Sequence, residues 1–170
     1  MAQIRMDIQS IVVGGGPVAS LVVLRPHEDD DGSLGKLPIR IGSFEAAAIS
    51  MGIDPSKTSK RPMTHDLMRS VIRDLGASLS RVIITHVQGT TFFAQLQLCA
   101  ASGETVWVDA RPSDAVALAV RMHAPIFADE RVLTTASLPN FESVERDERA
   151  REEAAFHDFV EGLSPEDFAV

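Results

Sequence analysis

The chain has 170 residues, 45% of them hydrophobic, and a net charge of −8 at pH 7, which is enough apolar material for one domain with a substantial core. No uninterrupted apolar run approaches the roughly 20 residues of a membrane span, and the single cysteine, Cys99, cannot form an intrachain disulfide. Neither membrane insertion nor export is expected, and a reducing cytoplasm is the expected compartment.

Residues 8–13 and 19–24 are two apolar runs separated by a glycine-rich turn, the pattern of a β-hairpin. The turn itself, IVVGGGPVA, spells strand then G-x-G-x-x-A through Gly14, Gly16 and Ala19, the glycine fingerprint of a dinucleotide-binding fold. Its required context fails. The SLVVL that follows is rich in β-branched residues, and Pro26 with the acidic EDDDG closes the segment before a helix and second strand can fit.

PIRIGSFEAAAIS, residues 38–50, then runs an alternating strand into an Ala-rich helix opened by Glu45. Next, SKRPMTHDLMRSVIRDLGAS describes an amphipathic helix. It starts near Pro62 and Thr64, carries Leu67, Met68, Val71, Ile72 and Leu75 on its apolar positions, and ends at Gly76. His65 and Asp66 fall in its first turn, where free N–H groups favour a phosphate or steady a carboxylate. Lys57, Lys60, Arg61, Arg69, Arg73 and Arg81 give this region a local excess of positive charge, a track that suits phosphates but also a plain solvated helix.

Residues 81–87 and 92–99 repeat the two apolar runs, and TVWVDARPSDAVALAVRM, residues 105–122, repeats the strand-to-helix joint. Glu45 and Asp114 lie 69 positions apart at equivalent places. The chain therefore reads as a duplication of a three-stranded unit ending in a helix. The second joint concentrates Asp109, Arg111 and Asp114. Two carboxylates and a guanidinium at a strand end are raw materials for phosphate chemistry. They can equally serve structure, Asp114 offsetting the helix N-terminus while Arg111 pairs with Asp109. Among the other histidines, strand alternation groups His86 with Val82 and Ile84 on an apolar face, and His123 stands at a helix end.

Beyond Leu133, TTASLPNFESVE reads as a linker and residues 146–162 as a charged helix, with one apolar stripe through Phe156, Phe159, Val160 and Leu163. Residues 128–170 hold 12 acids against four Lys or Arg, whereas residues 1–127 hold 12 of each. The tail thus carries the whole negative surplus. It is expected either to dock on the domain or a second subunit, or to compete electrostatically with nucleic acid for the basic helix.

LPIRIGSFEAAAI, RPMTHDLMRSVIRDLGA, TTFFAQLQL and DARPSDAVALAVRMHAPIF occur in the order and approximate spacing of the bacterial and plant bifunctional nuclease family, which the chain resembles over residues 1–133. That resemblance implies degradation of RNA and DNA. It also implies a compact α+β domain in which two β-rich repeats share one mixed, barrel-like sheet with flanking helices, here followed by a linker and helical tail over residues 134–170. It marks Glu45, His65, Asp66, Asp109, Arg111, Ser113 and Asp114 as motif positions. Arg40, Phe93 and His86 depart from the residues common in that pattern.

The expected activity is hydrolysis of phosphodiester bonds in RNA or DNA, with His65, Asp66, Asp109, Arg111 and Asp114 as catalytic groups. Lys57, Lys60, Arg61, Arg69 and Arg73 would contact nucleic acid. The carboxylates of Glu45, Asp66, Asp109 and Asp114 suit a divalent ion, Mg²⁺ or Mn²⁺, which would activate water while Arg111 steadies the transition-state charge and His65 handles a proton. Two alternatives use the same residues: a non-enzymatic module that binds an anion or locks the fold, and a homo-oligomeric scaffold assembled through sheet edges or the tail.

Overall fold

The alternating runs of the first repeat form three antiparallel strands, β1 (Gln3–Val12), β2 (Ser20–Pro26) and β3 (Leu37–Ile41), which lead into helix α1 (Ser43–Ile53). Helix α2 (Thr64–Asp74) follows, and β4 (Ser78–Gln88), β5 (Thr91–Cys99), β6 (Thr105–Ala110) and α3 (Pro112–Met122) repeat the plan. The chain then adds β7 (Ile126–Asp129) and α4 (Glu130–Ala136). This computed structural model describes residues 2–14, 19–28, 34–54, 56 and 60–138. The turn residues Gly16 and Pro17, the acidic loop, Lys57 and the whole apolar-striped tail lie outside the described residues.

The seven strands make one mixed sheet in the order β3-β2-β1-β7-β4-β5-β6. It is curled into a half-barrel, with the helices flanking it. The order is itself a record of duplication, because the two meanders flank β7 in mirrored sequence. β7 pairs antiparallel with β1 (Met6↔Ile126) and parallel with β4 (Val82↔Ile126), so β1 and β4 run antiparallel, as two strands related by a twofold axis do. Periodicity gave no sign of this four-residue strand. The antiparallel β1–β2 hairpin (Ile8↔Leu24) leaves no place for the crossover helix that a dinucleotide fingerprint requires.

Register shifts at Ile8/Ser10 in β1, and at Leu79/Arg81 and Ile84/His86 in β4, bend the two long strands and help curl the sheet. The last of these also moves His86 off the apolar face that simple alternation predicts. Val82 and Ile84 are buried, but His86 is exposed and stacks on Phe93 with ring centroids 4.2 Å apart.

The core fills with Val22, Leu24, Leu37, Ile39, Val82, Ile84 and Leu96 from the strands and Ala46, Ile49, Val116 and Leu118 from α1 and α3. α1 and α3 lie side by side, start beside start and end beside end: Glu45 reaches Arg111, and Gly52 faces Val120 and Arg121. Small side chains permit that approach. Gly76 closes α2 with φ of 73°, a left-handed conformation that favours glycine, as the sequence predicts. Thr134 and Thr135 do not open a linker. Their hydroxyls donate to the carbonyls of Glu130 and Arg131, which keeps these β-branched residues within α4, and Leu138 bridges to Lys36.

Gly52 provides a test of the α1–α3 packing. A methyl group there would sit 2.7 Å from Arg121 Nη1 and 3.2 Å from Val120 Cγ1. Alanine normally stabilises a helix interior by roughly 1 kcal/mol relative to glycine. Gly52→Ala is nevertheless expected to lower the unfolding free energy, by about 1–2 kcal/mol, because the buried guanidinium has no room to retreat. Urea denaturation of the two proteins reads the sign directly.

Candidate functional site

Glu45, Asp66 and Asp114 are each the third residue of a helix, in α1, α2 and α3 respectively. That position suits an acid, since the first helical N–H groups lack intrahelical partners and carry the positive end of the helix dipole. Glu45 follows β3 and Asp114 follows β6, in agreement with the repeated strand-to-helix joint. The N-cap residues of α1 and α3, Gly42 and Arg111, make no side-chain cap hydrogen bond, whereas α2 starts with a capping box between Met63 and Asp66.

Arg111, the N-cap residue of α3, links the two repeats. Its Nε donates to Asp114 Oδ2 at 2.8 Å and its Nη2 to Asp114 Oδ1 at 3.2 Å, a two-pronged pair, while Nη1 donates to Glu45 Oε1 at 3.1 Å. His65 approaches the same carboxylate from α2, with Nε2 3.1 Å from Asp114 Oδ1. Gly42 leaves space for this arrangement, because a Cβ there would run into the Glu45 carboxylate. Four residues from three helices thus form one chain of contacts, Glu45–Arg111–Asp114–His65.

A second ion pair lies behind the first. Arg121, whose side chain is only 4% exposed, donates from Nε to Asp66 Oδ1 at 2.7 Å and from Nη1 to the carbonyls of Ala48 and Ala117 at 2.9 and 3.0 Å. Asp66 Oδ2 accepts the backbone N–H of Met63 at 3.0 Å. Asp66 is therefore committed to holding α2 against α1 and α3. Arg121 escapes a sequence reading, which takes a cation in a last helical turn as an ordinary partner of the helix dipole. Its signal is weak: one Arg within the apolar run of α3, four residues after Ala117.

A cleft of about 680 Å³ opens beside Arg111. Each repeat contributes the same two parts to it, a hairpin end and a helix start: Ser20, Ile41, Ser43 and Glu45 from one, Thr91, Phe92, Arg111 and Ser113 from the other. Ser113 is 6% exposed and makes no side-chain hydrogen bond among the described residues. The starts of α1 and α3 both meet this space, so backbone N–H groups, hydroxyls and the two arginines Arg40 and Arg111 share it with one carboxylate, that of Glu45.

The expected catalytic residues do not all converge. His65 and Asp114 stand behind Arg111, and Asp66 belongs to the Arg121 pair. Asp109 lies exposed on edge strand β6 opposite Gln95, takes part in no ion pair among the described residues and does not line the cleft. Alternation explains the separation: β6 continues straight through Asp109, and only at Arg111 does the chain turn into α3. The four carboxylates expected to hold a metal are likewise divided, and among the described residues no three side chains of ligand type form a group. Lys60, Arg69 and Arg73 are exposed on or beside α2, Arg73 pairing with Asp74, and Arg61 is exposed just before it.

Electrostatics follows the geometry. Burial works to raise the Asp114 carboxyl, but hydrogen bonds from Arg111 and His65 and their charge outweigh it, so the group titrates below the usual carboxylate range. Asp66 is also lowered: the pull of burial is overcome by Arg121 and the Met63 N–H. The hydrogen bonds and charge of Asp114 raise Arg111. Depressed carboxyls contribute stability that is complete above their unfolded value, about 4, and is lost as pH falls through the folded value. The stability gap between the wild type and Asp114→Asn should therefore be widest above about pH 4 and close towards pH 2, as read from urea midpoints across that range. Removing the buried cation with Arg121→Ala should cost about 3–5 kcal/mol, since Asp66 then loses its partner.

Residues 22–140 match the sequence pattern of the bifunctional nuclease domain. Two uncharacterized proteins of Mycobacterium tuberculosis, MT1877 of strain CDC 1551 / Oshkosh and Rv1829 of strain ATCC 25618 / H37Rv, are each 42% identical over 139 residues, covering 78% of this chain and 80% of the relative. No helix among the described residues is long and apolar enough to cross a membrane. With its duplicated strand-and-helix units and the match over most of the chain, the protein belongs to the bifunctional nuclease domain family.

Proposed function

We propose that this protein hydrolyses phosphodiester bonds of RNA or DNA in the cleft between the starts of α1 and α3. The observation that carries this reading is Arg111, held by Glu45 and Asp114 at the rim of a cleft onto which two helix N-termini open. A phosphate would be received by the free N–H groups at these helix starts and by the hydroxyls of Ser43 and Ser113. Arg111 keeps a side chain 66% exposed, so its guanidinium remains accessible to a phosphate while the carboxylates fix its orientation.

In this mechanism Glu45, the carboxylate that lines the cleft, accepts the proton of the attacking water. Arg111 and the helix N-termini stabilise the charge that develops on the phosphate oxygens. Asp114 orients Arg111, and His65 orients Asp114 from behind, a positioning role rather than the proton transfer expected from sequence. The donors also fit a divalent ion in one respect: Mg²⁺ sites often use one or two carboxylates completed by substrate phosphates, and Glu45 and Asp114 are hard oxygen donors on either side of Arg111. Those carboxylates would hold the ion, which would supply Lewis-acid activation of water and phosphate. Lys60, Arg69 and Arg73 would guide the substrate strand electrostatically.

A second reading, a module without turnover whose polar cluster binds an anion or locks the fold, draws support from the same arginine, whose Nε, Nη1 and Nη2 all donate to carboxylates already and so tie α1 to α3. The exposed apolar residues Val106, Trp107 and Val108 on edge strand β6 favour self-assembly as an additional property. Cleavage of labelled RNA and DNA during Mg²⁺ and Mn²⁺ titration, against a chelator control, separates these readings. Glu45→Gln and Arg111→Ala should each lower cleavage by roughly 10²–10³-fold, whereas Asp109→Asn should stay within about twofold, as its distance from the cleft implies. Retained phosphate binding with no cleavage under any metal condition would establish the second reading, and loss of activity in Asp109→Asn alone would move the site to β6.

A further inference from the structure

Helix α2 turns its apolar face away from the domain. Met63, Leu67, Met68, Val71 and Leu75 are exposed, Leu67 by 58% and Leu75 by 73%, whereas His65 is the helix's one buried residue. The cause is the first turn. His65 and Asp66 point to Asp114 and Arg121 of α3, and at about 100° per residue Leu67 and Val71 must then face roughly the opposite way. A strongly amphipathic helix ordinarily lays such a stripe on a core, and an uncovered one marks an interaction surface.

We propose that the occupant of this face is the chain's own C-terminal segment, docking in cis through Phe156, Phe159, Val160 and Leu163. Those four residues recur at the i, i+3, i+4, i+7 spacing of one helical face. The charged residues Arg69 and Arg73 leave this face free, since at about 100° per residue they lie on the side of His65 and Asp66. Length permits the contact. From Leu138, the 18 residues to Phe156 can reach at most about 60 Å, more than the diameter of about 37 Å expected for a domain of this size. Docked there, the segment covers the exposed apolar surface of α2 with its own stripe. The proposal does not depend on the cleft being a catalytic centre.

Disulfide trapping in the full-length chain tests it. With Cys99→Ser as background, Val71→Cys is combined with Phe159→Cys, and the reference pair combines Thr105→Cys, on the exposed edge strand β6, with Phe159→Cys. Under mild oxidation at low micromolar concentration, the Val71 pair should close within one chain at least tenfold faster than the reference. Adding Leu67→Ser and Leu75→Ser, both at exposed positions of the stripe, should slow that closure severalfold. Equal rates for the two pairs, or disulfide-linked dimers as the main product, would overturn docking in cis; closure indifferent to the two serine substitutions would overturn docking through the apolar stripe.

Discussion

The arrangement of the helices depends on the guanidinium of Arg121. It is buried where α1, α2 and α3 meet and is shared among a carbonyl of α1, a carboxylate of α2 and a carbonyl of its own helix. A charge in such a place is tolerable only when its donors are satisfied, so its burial demands that all three helices keep their relative positions. With α2 held by Asp66, the adjacent His65 has little choice but to meet the start of α3. The cleft-side network thus inherits its geometry from an ion pair that makes no contact with the cleft.

Duplication explains where the cleft lies. Each repeat ends its hairpin and begins its helix at equivalent places, and the curl of the sheet brings these four pieces around one space. Neither repeat alone could enclose it. The electrostatic consequence is concentrated, since two parallel helix dipoles present their positive ends to the same region and the acids at their third positions answer them. Arg111 then joins one acid from each repeat, which makes the guanidinium the seam between the two units.

Much of this was legible in the residues themselves. Alternation located the two meanders, the Ala-rich runs located α1 and α3, and the 69-residue echo of Glu45 in Asp114 identified equivalent helix starts. These are local patterns, and local patterns report periodicity well. What escaped was set by three-dimensional arrangement. Strand β7 is four residues long and owes its existence to partners on both sides. His65 joins a site only because of a residue 49 positions away. Asp109, two residues from Arg111, looks like its natural partner until the strand carries it to an exposed edge. The apolar stripe of α2 looks like core material, yet two polar residues in its first turn decide its rotation.

Two glycines of the first repeat carry a further meaning. At the spacing that equates Glu45 with Asp114, Gly42 stands at the place of Arg111 and Gly52 at the place of Arg121. One repeat supplies the long cation; in the other, Gly52 leaves space for Arg121 itself and Gly42 for the Glu45 carboxylate that pairs with Arg111. Two identical units could not do this: paired arginines would collide at the seam, and paired glycines would leave the carboxylates without a counter-charge. The asymmetry is open only to a single polypeptide whose halves can diverge, so covalent fusion is what lets this fold put unlike residues at like positions.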